Sequence, residues 1–317
     1  MPQPSSFFKL ETMTQEPSFT LPAYAKINWF LHVIGKREDD FHELCTVFQT
    51  VSLCDYLTFT ANNSLELTCS DANLATDEGN LIIRAARVLQ EKFGTGRGAK
   101  IYLDKRIPSP GGLGGGSADC AVALLGLAKL WNLKISLSEL CELAKNLGSD
   151  VPFFFFGGTA MGSGRGTEIA EIDDVTEKFM VIVTPPVNVA TPFAFAQLNA
   201  PRLTNFAPKS ILKICRNEAQ KLVLRQSVPR NDFEPVIYKI EPELRRVKEK
   251  LLESGAKSVL MSGSGASIFG IFENEETRQA SLKALENELR WRKFAVATIS
   301  RQSYREALKD VLEVVSD

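Results

Sequence analysis

Histidine is nearly missing from this chain: His32 and His42 are the only two in 317 residues. The six cysteines (Cys45, Cys54, Cys69, Cys120, Cys141 and Cys215) lie far apart with no C-x-x-C pair, so the spacing argues against a zinc site. Cys120 and Cys141 fall in apolar helical patterns and read as buried free thiols in a reducing compartment. No apolar run approaches the roughly 18 residues of a membrane span; the stretch 151–156 has only the length of a core strand. A formal net charge of -1 supplies no global field for a polyanion, which argues against a nucleic-acid binder and leaves any phosphate to be met locally. The first twenty residues lack a basic start, an apolar core and a small-residue cleavage site, and Glu11 and Glu16 fit poorly with an Arg-rich transit peptide. Residues 1–19 are expected to form a mobile extension.

What is present is ordinary globular material, 44% hydrophobic and 24% charged, in a chain long enough for two domains with separate cores. Partial alternation over 19–33 and 46–60 predicts strands of a largely antiparallel sheet, with a charged, exposed loop over 35–42 between them. Asn80 opens an amphipathic helix with Leu81, Ala85, Val88 and Leu89 on one face. A strand over 99–103 then leads through Lys105 into a glycine-rich loop, which runs into an apolar helix over 118–131; a further helix follows with Ser136 or Ser138 as its N-cap. Beyond a strand over 179–184 stands the breaker pair Pro185-Pro186. The domain boundary is placed at 176, giving domains 1–176 and 177–317. In the second, helices over 211–224 and 242–254 alternate with strands over 267–272 and 294–300, an α+β pattern.

The sharpest signal is Pro108-Ser109-Pro110-Gly111-Gly112-Leu113-Gly114-Gly115-Gly116-Ser117-Ala118. Glycines at this density let backbone N–H groups turn toward one concave site, and the following helix adds its positive end, which together suit a polyphosphate. A flexible linker is the bland alternative, but a linker does not ordinarily join a strand to a long apolar helix. Other nucleotide signatures are absent. The only Gly-Lys, Gly35-Lys36, is followed by Arg37 and so is no Walker A loop; H-R-D and D-F-G are missing; and Ser117 occupies the last glycine position of a dinucleotide fingerprint.

Together with Ala25-Lys26-Ile27-Asn28, Leu147-Gly148-Ser149-Asp150-Val151-Pro152 and Met261-Ser262-Gly263-Ser264-Gly265-Ala266, the glycine loop resembles the motifs of the GHMP kinase family of small-molecule kinases, over about residues 20 to 300. Asp40-Phe41-His42-Glu43-Leu44 and Asn231-Asp232-Phe233-Glu234-Pro235 narrow the resemblance to the branch acting on a cytidine-diphosphate-linked methylerythritol. The resemblance implies a two-domain α+β fold with the active site in the interdomain cleft, ATP with Mg2+, and phosphorylation of the polyol's 2-hydroxyl. A bacterial cytoplasm is then the expected compartment, with a plastid stroma as alternative, and no protein partner is required.

The same resemblance assigns Asp150 to accept or direct the hydroxyl proton and Lys26 to keep that carboxylate ionised and offset developing charge, a division of labour that phosphoryl transfer needs. Taken alone, Lys26 reads more often as a solvated edge lysine, and Asp150 comparably as a turn carboxylate. Asn28 would orient the substrate, Gly263, Ser264 and Gly265 would approach from the second domain, and Asn80 and Lys105 would border the nucleotide. Ser117 is the candidate hydroxyl near the metal; Asp119 either joins it or favours the helix start through its dipole. Phe41, standing where a tyrosine is more usual, and Phe195 would sandwich the pyrimidine while His42 reads its polar edge, with Phe193 competing for the role of Phe195. Rival readings are a homoserine- or mevalonate-type kinase and a catalytically silent metabolite sensor.

Overall fold

The computed structural model describes residues 18–203, 208–223, 229–313 and 315–316, so nearly all of the expected extension lies outside the described residues. Two long strands open the fold, β1 (Ser18–Lys36) and β2 (His42–Asn62), paired antiparallel from Ser18↔Thr60 to Lys36↔His42. The loop expected over 35–42 is therefore shorter: pairing carries Lys36 and His42 into strands and leaves a turn in which Asp40 takes φ 63°. Register shifts fall between Tyr24 and Lys26 and between Asn28 and Phe30. Such bulges re-aim side chains. Here Ala25, Ile27 and Trp29 join the core, whereas Lys26 and Asn28 face a cleft.

β3 (Leu65–Cys69), α1 (Leu81–Phe93) and β4 (Gly98–Asp104) follow. Asn80 caps α1 by accepting the Ile82 N–H at 2.9 Å, and Gly94, at φ 58°, ends it. α2 (Gly115–Leu130) starts earlier than the expected position 118 because the last glycines of the loop already take helical geometry. Buried on almost every side, it is apolar all round, as a central helix must be. β5 (Ile135–Ser136) precedes α3 (Leu137–Leu147), and Ser136 caps α3 through a capping box with Glu139. The apolar run after Asp150 is a 3₁₀ turn, Val151–Phe155, with its three phenylalanines in the core; Pro152, having no N–H to give a ladder, suits that turn.

β6 (Thr159–Gly164) and β7 (Glu168–Glu171) complete the first half. The second half contains β8 (Met180–Thr184), α4 (Thr191–Gln197), α5 (Pro208–Val223), β9 (Arg230–Asn231), α6 (Glu234–Ile240) and α7 (Pro242–Glu253). β10 (Ser258–Met261), β11 (Ile268–Ile271), α8 (Glu275–Ala284), β12 (Arg292–Val296), α9 (Arg301–Ala307), α10 (Lys309–Leu312) and β13 (Val315–Ser316) close the chain. Leu224, the end of the helix expected over 211–224, lies outside the described residues.

The first sheet runs β3-β4-β2-β1-β9, with β6 also on β2 and β7 on β6; the second runs β10-β11-β8-β12. The result is α+β, two layered halves facing each other across the cleft. Residue 176 falls between β7 and β8, yet the chain beyond it does not stay with the second sheet. β9 pairs parallel with β1, Thr298 bridges Val51, and Tyr304, Leu308 and Val311 are buried in the core around α2. That return also explains why β12 stops at Val296, short of the expected 300.

Candidate active site

Lys26 lies on the cleft floor, with its side chain 4% exposed and its ammonium 3.2 Å from Asp150 Oδ2. It donates to Asn28 Oδ1 at 2.9 Å, while Asn28 Nδ2 donates to Thr46 Oγ1 at 2.8 Å and that hydroxyl donates to the Phe30 carbonyl at 2.7 Å. The chain of bonds fixes the amide: oxygen to the ammonium, NH2 to the threonine. Asp150 stands at the N-cap of the 3₁₀ turn but makes no capping bond. Its carboxylate, 32% exposed, is left for Lys26 and the cleft. Removing the carboxylate would leave the buried Lys26 ammonium without its only anionic partner among the described residues of the cleft.

Beside this pair, Gly114 at φ 69° opens α2 without any side-chain cap, so the first N–H groups of the helix are left to the cleft that Gly115, Gly116 and Ser117 line. The Leu113 carbonyl accepts the Lys26 N–H at 2.9 Å, tying loop to strand. From the second half a glycine turn interlocks with the loop: Ser262 Oγ donates to the Gly112 carbonyl at 2.8 Å, and Ser267 N–H to the Gly111 carbonyl at 3.0 Å. Asn231 braces that turn by donating to the Met261 and Gly263 carbonyls at 2.8 and 2.7 Å. Asp232 accepts from the Val33 N–H at 3.0 Å and pairs with His32 Nδ1 at 2.5 Å, fastening the two halves together.

At the far end of the cleft, whose volume is about 850 Å³, the rings of His42 and Phe195 stack with centroids 4.6 Å apart. Phe41 is 49% exposed, and the Arg165 guanidinium sits 4.5 Å from its ring centre. Burial, and after it the charge of Lys36, holds the His42 imidazole below its usual pKa, so the ring is neutral at pH 7.

Of the residues expected from sequence, Lys26, Asn28, Asp150, Phe41, His42, Phe195, Gly263, Ser264 and most of the loop line this one cleft. Phe195, rather than Phe193, is the α4 phenylalanine facing it. The expected sandwich between Phe41 and Phe195 is not formed here, since the face of Phe195 rests on His42. Lys105 does not border the cleft: its ammonium is buried between Asp55 and Asp119. Asn80 is occupied in capping α1 and in donating to the Ala75 carbonyl. Pro110, Ala118 and Gly265 support the two turns without lining the cavity. Asp119 is buried and accepts the Lys105 ammonium at 3.0 Å. Among the described residues no cluster of three or more His, Cys, Asp or Glu could hold an ion unaided. Sequence reading missed Thr46, Arg165 and Asp55; only Asp55, an acid inside an apolar strand, carried a visible signal.

A glycine-rich loop at a helix start, a lysine–carboxylate pair and a second glycine turn meet in one cleft. Residues 80–158 match the GHMP kinases N terminal domain and residues 209–290 the GHMP kinases C terminal domain, and the chain belongs to the GHMP kinase family of ATP-dependent small-molecule kinases. It is 38% identical over 289 residues, 90% of each chain, to the 4-diphosphocytidyl-2-C-methyl-D-erythritol kinase of Solibacter usitatus. The protein of that name from Protochlamydia amoebophila is 38% identical over 296 residues, 93% of this chain and 95% of that one. A crystal structure of 4-(cytidine 5'-diphospho)-2C-methyl-D-erythritol kinase superposes with a TM-score of 0.72 at 32% identity, covering 88% of this chain and 99% of the other.

Proposed function

We infer that the chain transfers the γ-phosphoryl of ATP to the 2-hydroxyl of 4-diphosphocytidyl-2-C-methyl-D-erythritol, a step in non-mevalonate isoprenoid precursor synthesis. The observation that carries the reading is the Lys26–Asp150 pair at 3.2 Å, set in one cleft with the glycine loop and with the His42–Phe195 stack. A phosphate donor on the loop and a pyrimidine on the aromatic end bring the hydroxyl to Asp150.

In this reading Asp150 accepts or directs the hydroxyl proton, Lys26 holds that carboxylate in place and meets the charge that develops on the transferred group, and Asn28 holds Lys26 while presenting its edge to the substrate. The uncapped N–H groups at the start of α2 face the ATP phosphates. Phe195 and Phe41 grip the pyrimidine and neutral His42 pairs with its polar edge, which requires the ring of Phe195 to part from His42 as the base enters. Magnesium would come in with ATP, and Ser117 is the loop hydroxyl that would help the phosphate oxygens to hold it; it would neutralise phosphate charge. The reaction needs no nucleic acid, membrane or protein partner, and a reducing cytoplasm suits the free cysteines.

ADP release measured against the cytidine-linked substrate, bare methylerythritol phosphate, mevalonate and homoserine tests the proposal. Turnover confined to the cytidine-linked compound is expected; preference for mevalonate or homoserine would overturn it.

A further inference from the structure

Beneath the glycine loop lies a buried charge cluster that the reaction does not use. Asp55, fully buried in β2, accepts the N–H of Arg106 at 2.5 Å and of Ile107 at 2.8 Å on Oδ1, and the Lys105 ammonium on Oδ2. The same ammonium donates to Asp119 Oδ2 at 3.0 Å, near the start of α2. A Cβ placed on Gly115 would stand 2.8 Å from Lys105 Nζ, so the ammonium presses against the underside of the loop. One buried cation is thus tied to the backbone that leads into the loop and to the helix that leads out of it.

A buried ion cluster is a poor source of stability, since desolvation consumes most of the Coulomb gain and an apolar trio of equal volume would hold the core as well. What it does supply is fixed geometry. Loop amides can bind phosphate only if they already converge, because a chain that must order itself on binding loses affinity to that ordering.

We propose that Asp55, Lys105 and Asp119 are positioning residues: a clasp that fixes the glycine loop in its nucleotide-ready shape before ATP arrives. The proposal rests on the reading of the loop as the ATP cradle. Its loss is read in ATP binding, with the other substrate little affected.

Asp55→Asn, Lys105→Met and the double variant are compared with wild type by steady-state kinetics and thermal melting. Each single change is expected to raise KM for ATP about tenfold, in keeping with the cost of a misplaced binding group. KM for the cytidine-linked substrate should move by less than about twofold, and the double variant should be no worse than the poorer single one, as for residues acting through one network. A rise with Lys105→Met alone would mean that Lys105 touches the nucleotide directly and would overturn the clasp. Lowered Tm with unchanged KM for ATP would reduce the cluster to packing and overturn it too. Should the variants fail to fold, hydrogen exchange on the wild type decides: the Arg106 and Ile107 amides are expected to exchange slowly without nucleotide, and fast exchange that slows only with ATP would overturn the clasp. Failure of the cradle reading looks different, as saturating ATP would then leave exchange across 111–117 unaltered.

Discussion

Lys26 and Asp150 share one ion pair, and their substitution should behave accordingly. Asp150→Asn is expected to lower kcat by about 10² to 10⁴ with ATP affinity retained, the range for a lost general base. Lys26→Ala should do the same, and the double variant should be little worse than either, because groups acting as a unit are not additive. Additive losses in single-turnover rates would separate their roles. These two were legible from sequence only through motif context, since a lone lysine in a strand and a lone aspartate before a proline say little by themselves. Lys105 was misread because nothing along the chain reveals that Asp55, fifty residues earlier, folds beneath it. The same cluster makes a pH prediction. Burial, opposed by Lys105 and reinforced by Asp55, pushes the Asp119 carboxyl up to about 8; Cys69 of β3 and the adjacent Cys120 are the other titratable groups near it. An acid raised in the folded state binds more protons there than in the unfolded chain. Its stabilising contribution is therefore complete below the unfolded pKa of about 4 and is lost as pH rises through the folded value. Asp119→Asn removes that slope, so its Tm relative to wild type should climb between pH 5 and pH 8; a constant difference in calorimetry would contradict the assignment.

The glycine loop and α2 show what an element adds to its residues. The need for glycine at 112 is steric as well as conformational: at φ 71°, a Cβ there would fall 2.2 Å from the Ser262 carbonyl oxygen. Gly112→Ala should prise the loop from the second glycine turn, at a cost of about 1–3 kcal/mol for the strained backbone alone. Both Tm and affinity for ATP are expected to fall, measured by melting and by nucleotide titration; a variant with unchanged ATP affinity would mean that the interlock does not shape the cradle. The aromatic end makes a separate prediction. Phe195→Ala should raise KM for the cytidine-linked substrate roughly tenfold, from a stacking contribution of about 1–3 kcal/mol, and leave KM for ATP as it was. The elements themselves were largely readable, because α1 and α3 carry their periodicity and caps openly. The bulges of β1 were not, since register cannot be read along one strand; between two of them Lys26 and Asn28 alternate with Ala25, Ile27 and Trp29 and so face the cleft together.

The whole molecule is less divisible than its sequence suggests. A boundary at 176 falls ahead of β8 and its breaker pair, but pattern alone could not show that the chain returns to seat Tyr304, Leu308 and Val311 against α2. Losing three large buried side chains costs on the order of several kcal/mol, comparable with the entire stability of a domain. A chain ending at 298 should therefore fail to fold as a stable first half, and the full chain should melt in one calorimetric transition; two resolved transitions would show that the halves are independent. The continuity of the cleft has a consequence of another kind. Loop, ion pair and aromatic stack line a single cavity, so donor and acceptor can meet directly, and the phosphoryl group has no reason to rest on a side chain along the way. One in-line displacement inverts the configuration at phosphorus. ATP made chiral at its γ-phosphorus with oxygen isotopes should thus yield a product of opposite handedness, whereas retention would betray a second displacement and a phosphorylated protein between them.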